Sequence, residues 1–197
     1  MAEVVLVRHG ETEWSRTGRH TGSTDVPLTA RGEEQATAIR AVLAGETFAL
    51  VLASPRVRAR HTADLAGLVD VEICTDLVEW DYGIYEGRTT PEIGSELGRP
   101  WTVFADGVGP GATPGETVEQ VGARADRVLD RVRPIVAAGD TVALVGHGHQ
   151  LRILGARWLG LPPGGGALLR LDAGSVGRLG TEHGRHVITL WNARPDC

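Results

Sequence analysis

Two short apolar runs, Val4-Val5-Leu6-Val7 and Thr141-Val142-Ala143-Leu144-Val145, do most to limit what this chain can fold into. Runs of this length, rich in β-branched side chains and lacking polar alternation, read as strands buried on both faces of a parallel sheet. Each ends abruptly on polar residues: Arg8-His9-Gly10-Glu11 after the first, Gly146-His147-Gly148-His149 after the second. Ligands of open α/β sheets bind just beyond the carboxyl ends of the strands. Arg8, His9 and His147 are therefore expected on the rim of one crevice. Two imidazoles delivered this way, one beside an arginine, point to phosphate chemistry.

The rest of the chain alternates helical and strand patterns. Thr29 is placed to cap a helix through Glu33, Ala36, Ile39, Arg40 and Leu43 that Gly45 ends. Phe48 to Ala53 reads as a strand, and Ser54-Pro55 as the cap and first turn of a helix carrying Arg58, Thr62 and Leu65. Val71 to Cys74 is a short strand, Asp76 to Gly87 an aromatic-rich loop, and Thr90-Pro91 opens a helix to about Leu97. Gly107 to Gly115 is loop. Val118, Val121, Ala125, Val128, Leu129, Val132 and Ile135 keep one helical face apolar. After the Thr141–Gly146 strand, a helix is expected from about Gln150 to Leu159, then a turn at Pro162 to Gly166 and strands near Ala167–Leu171, Ser175–Gly180 and Val187–Trp191. This order predicts one domain over residues 1–197: a three-layer α/β/α fold, its sheet mostly parallel with helices on both faces.

Composition narrows the function. All 20 basic residues are arginine, yet net charge is −5, which argues against a nucleic-acid partner. No run is long enough for a membrane span, and the few apolar residues before Arg8 are too short for a signal peptide. Two distant cysteines, Cys74 and Cys197, suit a reducing, cytoplasmic setting. The sequence leaves the oligomeric state open.

His9 is the candidate nucleophile, because a neutral imidazole attacks phosphorus and the adjacent Arg8 disfavours its protonation. Arg58 lies one turn into its helix, within reach of an anion on the sheet rim. In Leu77-Val78-Glu79-Trp80-Asp81-Tyr82-Gly83-Ile84-Tyr85-Glu86-Gly87, acidic and aromatic side chains alternate. A carboxyl facing a phosphate dianion gains proton affinity and can protonate a leaving oxygen. Glu79, Asp81 and Glu86 all qualify. Gly146-His147-Gly148-His149 invites a metal reading, but no further ligands with metal-site spacing accompany it. No metal and no cofactor are expected.

Together these blocks resemble the histidine phosphatase superfamily, the phosphoglycerate mutase-like family. The resemblance is carried by Arg8-His9-Gly10-Glu11-Thr12, Thr21-Gly22, Leu28-Thr29-x-x-Gly32, Ser54-x-x-x-Arg58-Ala59-x-x-Thr62-Ala63, Leu77-x-Glu79 with Gly83 and Glu86-Gly87, and Gly146-His147-Gly148. It implies that His9 carries the phosphoryl group while Arg8, Arg58 and His147 bind its oxygens. It also implies that Glu79 is the proton donor and then the base for water. Trp14-Ser15, Thr24-Asp25, Trp80-x-Tyr82 and His149-x-Leu151-Arg152 are similar to the branch containing sedoheptulose-1,7-bisphosphatase and related small-molecule phosphatases. That similarity implies substrate contacts from Ser15, Thr21, Gly22 and Arg152, with Arg152 reaching a distal phosphate. Ser15 replaces an asparagine found in many members, mutases included, so a mutase's substrate contacts do not transfer directly.

The expected activity is hydrolysis of small phosphorylated metabolites, sugar phosphates included. A cofactor-dependent phosphoglycerate mutase would use the same centre but return the phosphoryl group to substrate. A non-catalytic phosphate-ligand or protein-binding module would leave the centre idle.

Overall fold

The computed structural model describes residues 2–195. Six strands, β1 (Val4–Arg8), β2 (Leu50–Ala53), β3 (Val71–Ile73), β4 (Val142–Gly146), β5 (Val176–Glu182) and β6 (Arg185–Ala193), form one sheet in the order β3-β2-β4-β1-β5-β6. β1, β4, β2 and β3 run parallel; β5 joins β1, and β6 joins β5, in antiparallel fashion. Around the sheet lie α1 (Glu13–Thr17), α2 (Ala30–Val42), α3 (Val57–Leu65), α4 (Thr90–Leu97), α5 (Val103–Asp106), α6 (Val118–Ala137) and α7 (Gly148–Trp158).

The apolar runs divide their side chains between two cores. Val4 and Leu6 of β1, with Val142 and Leu144 of β4, face α6 and α7 and pack with Val128, Leu129, Leu151 and Trp158. Val5, Val7, Ala143 and Val145 face α2 and α3 and pack with Ile39, Ala59 and Ala63. Burying one such Val or Leu stabilises by roughly 1.5–3 kcal/mol, so both faces of the central strands need a covering layer. Thr29 caps α2 by accepting from Gly32 N at 3.1 Å, and Thr117 with Gln120 forms a capping box on α6. Among the described residues, no helix is long and apolar enough to cross a membrane.

The register of β1 against β4 positions the site. Val4 pairs with Val142 and Arg8 with Gly146, so His9 and His147 leave the sheet side by side. Gly10 and Gly32 let α2 press on this strand end. A Cβ on Gly10 would lie 2.2 Å from the Gly32 carbonyl oxygen, and one on Gly32 would lie 2.1 Å from the Glu11 carbonyl oxygen.

Two expectations need correction. Ala167–Leu171 is not a strand: a 3-10 helix occupies Pro163–Leu168. The carbonyls a strand would offer a neighbour are taken by side chains, Gly166 and Ala167 by Arg152, Arg170 by Trp191 and Leu171 by Arg8. Ser54 does not cap α3, whose N-cap is Arg56; its hydroxyl meets His147, and Asp25 Oδ1 accepts from Val57 N at 2.9 Å instead. The short helices α1 and α5 were not anticipated, because neither is long enough to display a helical period.

Candidate active site

The ends of β1 and β4, the loop after β3 and the N-terminus of α7 converge on one cleft of about 270 Å³. Arg8, His9, Ser15, Thr21, Glu79 and Arg152 all line it. Arg58 and His147 form the layer behind its wall, each 0% exposed, and the His9 and His147 ring centroids are 5.1 Å apart. Gly22 borders an adjacent groove, its N–H donated to Glu86.

The tautomers of both histidines follow from their partners. His9 Nδ1 lies 2.7 Å from the Gly10 carbonyl oxygen. A carbonyl only accepts, so Nδ1 carries the proton and Nε2 keeps its lone pair. His147 is the reverse case. Arg58 Nε donates to its Nδ1 at 3.2 Å, so Nε2 bears the proton and donates to Ser54 Oγ at 2.7 Å. Burial, then Arg58, then Arg8 hold the His9 imidazolium well below the ordinary range. The neighbouring arginine read from sequence is thus the third cause, after desolvation and an arginine from α3. His147 is depressed in the same way by burial, Arg58, His9 and Arg8.

The arginines are held by main-chain oxygens. Arg58 donates from Nη1 to Thr24 O and from Nη2 to Thr21 O, both at 3.0 Å, and its Nη1 lies 3.9 Å from Asp25. With Nε on His147, three of its five N–H groups are engaged. Arg8 donates from Nη1 to Leu171 O, while its buried Nε has no protein partner. Gly148 exists here for Arg8: a Cβ would stand 3.1 Å from the guanidinium carbon. Arg152 donates to Gly166 O and Ala167 O at 3.0 Å and lies over Phe104, 4.8 Å from the ring centroid.

The three candidate acids separate cleanly. Asp81 accepts from Gly83 N and Gly115 N and from the Thr113 hydroxyl, stapling two loops together. Glu86 accepts from Gly22 N and Thr24 N, clamping the segment whose carbonyls hold Arg58. Only Glu79 faces the cleft, 7% exposed. Its Oε1 accepts from Trp80 N at 2.9 Å and Gln150 N at 3.0 Å, and its Oε2 from His149 N at 3.1 Å. Two of these donors are free amides of the first turn of α7, a natural seat for a carboxylate. Oε2 retains an open lone pair for a proton.

Several cleft residues were not picked out as site residues from the sequence. His20 comes from a loop with no periodic pattern to fix its direction, and Thr90 from the first turn of α4. His149 was visible in Gly146-His147-Gly148-His149, but it entered as a possible metal ligand and as part of the branch resemblance, not as a site residue. Among the described residues, no group of three or more His, Cys, Asp or Glu side chains could hold a metal ion.

Known proteins share this arrangement. The profile of the histidine phosphatase superfamily, branch 1, matches residues 4–194. An acid phosphatase of Mycobacterium tuberculosis is 42% identical over 184 residues, covering 92% of this chain and 87% of the relative. Sedoheptulose 1,7-bisphosphatase of Saccharomyces cerevisiae is 35% identical over 186 residues, covering 80% and 67%. The solved structure of a Mycobacterium tuberculosis open reading frame superposes with a TM-score of 0.91 at 38% identity, over 98% of both chains. With paired histidines at the ends of two parallel strands and this match along almost its whole length, the chain belongs to branch 1 of the histidine phosphatase superfamily and is a phosphatase of that family.

Proposed function

We propose that the chain hydrolyses phosphomonoesters of small metabolites, sugar phosphates among them, through a phosphohistidine on His9. The observation that carries this reading is the His9 tautomer. Its Nδ1–H is spent on the Gly10 carbonyl, so the ring offers an unprotonated Nε2 on the wall of a cleft rich in arginine.

In the first step, Nε2 of His9 attacks phosphorus. The bond from phosphorus to the ester oxygen breaks, and the proton on Glu79 Oε2 passes to that leaving oxygen. Arg8 and Arg58 balance the charge spread over the equatorial oxygens. His147, neutral and pinned between Arg58 and Ser54, acts through Arg58 by fixing its guanidinium. In the second step, water attacks phosphorus, Glu79 takes its proton, and the bond to Nε2 breaks. Phosphate leaves, and both residues return to their starting forms. Two moderate displacements replace one difficult one.

The test is a rapid quench of enzyme mixed with labelled phosphomonoester. An acid-labile, alkali-stable phosphoenzyme is expected in the parent and absent in His9→Ala, whose phosphate release should fall to background. Undiminished release by His9→Ala would refute the assignment. Incubation with 3-phosphoglycerate and a bisphosphoglycerate primer separates hydrolysis from mutase chemistry. Fast isomerisation with little free phosphate would assign the latter.

A further inference from the structure

Beyond its phosphate end, the cleft runs into a second chamber of about 240 Å³ that shares His20, Thr90, His149 and Arg152 with it and adds Phe104. His149 stands at the junction. Its Nδ1 lies 2.6 Å from the Tyr82 hydroxyl oxygen. A phenol is the better donor of the pair and an imidazole nitrogen the better acceptor, so Tyr82 donates and the His149 proton sits on Nε2. The ring is fixed edge-on between Phe104, at 5.2 Å, and Tyr82, at 5.8 Å between centroids. Burial, with Arg152 next, pushes the His149 imidazolium well below its usual range, and burial pushes the Tyr82 phenol well above its own. Both groups are therefore neutral near pH 7. The His149 Nε2–H meets no acceptor among the described residues.

The main chain of His149 meanwhile donates to Glu79 Oε2. One residue thus places the proton for the leaving oxygen with its backbone and presents a neutral donor with its side chain. Building on the phosphatase reading above, we infer that the Nε2–H of His149 receives a hydroxyl or carboxyl oxygen of the substrate's alcohol portion, making His149 a specificity-determining residue that favours hydroxylated phosphomonoesters over bare aryl ones. A wall donor left without an acceptor penalises esters that cannot supply one.

The experiment compares kcat/KM for ribose 5-phosphate, which carries hydroxyls, with that for phenyl phosphate, which has no oxygen beyond the ester group. The readout is the ratio of the two in the parent chain, in His149→Phe and in Tyr82→Phe. His149→Phe should lower the ratio by about tenfold, the worth of one hydrogen bond made or missed. Tyr82→Phe, which frees the His149 proton to shift to Nδ1, should lower it in the same direction. A purely structural role would slow both esters alike and leave the ratio in place. A ratio unchanged in His149→Phe overturns the assignment while leaving the phosphatase reading intact. If His149→Phe does not fold, the ratio in Tyr82→Phe decides by the same criterion. A parent chain inert toward both esters would remove the phosphatase reading and this inference with it.

Discussion

His20 gives the sharpest test of how burial controls charge beside the cleft. The ring is 8% exposed, lies against Tyr82 at 4.6 Å and Trp101 at 5.5 Å, and among the described residues hydrogen-bonds only with the Thr90 hydroxyl, at 3.3 Å. Burial pushes its pKa from 6.5 down to about 4, against a weaker opposing pull from Glu86. Below pH 6.5 the unfolded chain therefore binds a proton at this position that the folded chain refuses. The stabilisation is complete above pH 6.5 and is lost as pH falls toward the folded value. Linkage sets the loss from this group at about 2 kcal/mol by pH 5 and about 3 kcal/mol by pH 4. His9, His147 and His149 are depressed too, so the comparison that isolates His20 is between the parent chain and His20→Asn. Urea unfolding at pH 7.5, 6 and 5 should show the parent losing its relative advantage by about 2 kcal/mol over that range. A stability difference that stays constant with pH would refute the claim that burial keeps this imidazole neutral.

Other consequences are open to direct measurement. Gly32→Ala forces a Cβ to within 2.1 Å of the Glu11 carbonyl oxygen; the urea midpoint should drop by the equivalent of about 1–3 kcal/mol or more, and an unchanged midpoint would count against the close packing of α2 on the β1 end. Ser54→Ala strands the His147 Nε2–H in a buried position, costing about 1–3 kcal/mol; kcat should fall more than KM rises, and wild-type kinetics would show that the ring orientation does not matter. Hydrolysis should persist in excess EDTA, as measured by free phosphate; loss that a divalent ion restores would disprove the metal-free scheme.

The parallel core was legible because β-branched runs buried on both faces carry their own signature, and the β1–β4 register then brings His9 beside His147. The helix start at Thr29 was legible because a side-chain oxygen and an apolar period coincide there. What failed depended on distant partners. Ala167–Leu171 reads as a strand until Arg8, Arg152 and Trp191 claim its carbonyls. Ser54 looks like a cap until His147 arrives 93 positions later. The residues themselves left Glu79, Asp81 and Glu86 equivalent, and the resemblance to a family favoured Glu79. The structure separates them by which amides each one meets, a matter of tertiary position that no local pattern encodes. His20 carried no signal at all, since the rings that cover it, Tyr82 and Trp101, lie more than sixty positions away in the chain.

The seating of Glu79 on the amides of residues 149 and 150 has a consequence for how this scaffold can be altered. The acid belongs to a loop by connectivity but to α7 by attachment, and α7 begins directly after His147. Glu79 and the His147 end of β4 are therefore held by one helix start, while Glu86, farther along the same loop, clamps the segment whose carbonyls hold Arg58. On the proposed mechanism, swapping residues 80–87 for those of a relative would keep phosphate release only where position 86 retains an acid able to clamp residues 22 and 24.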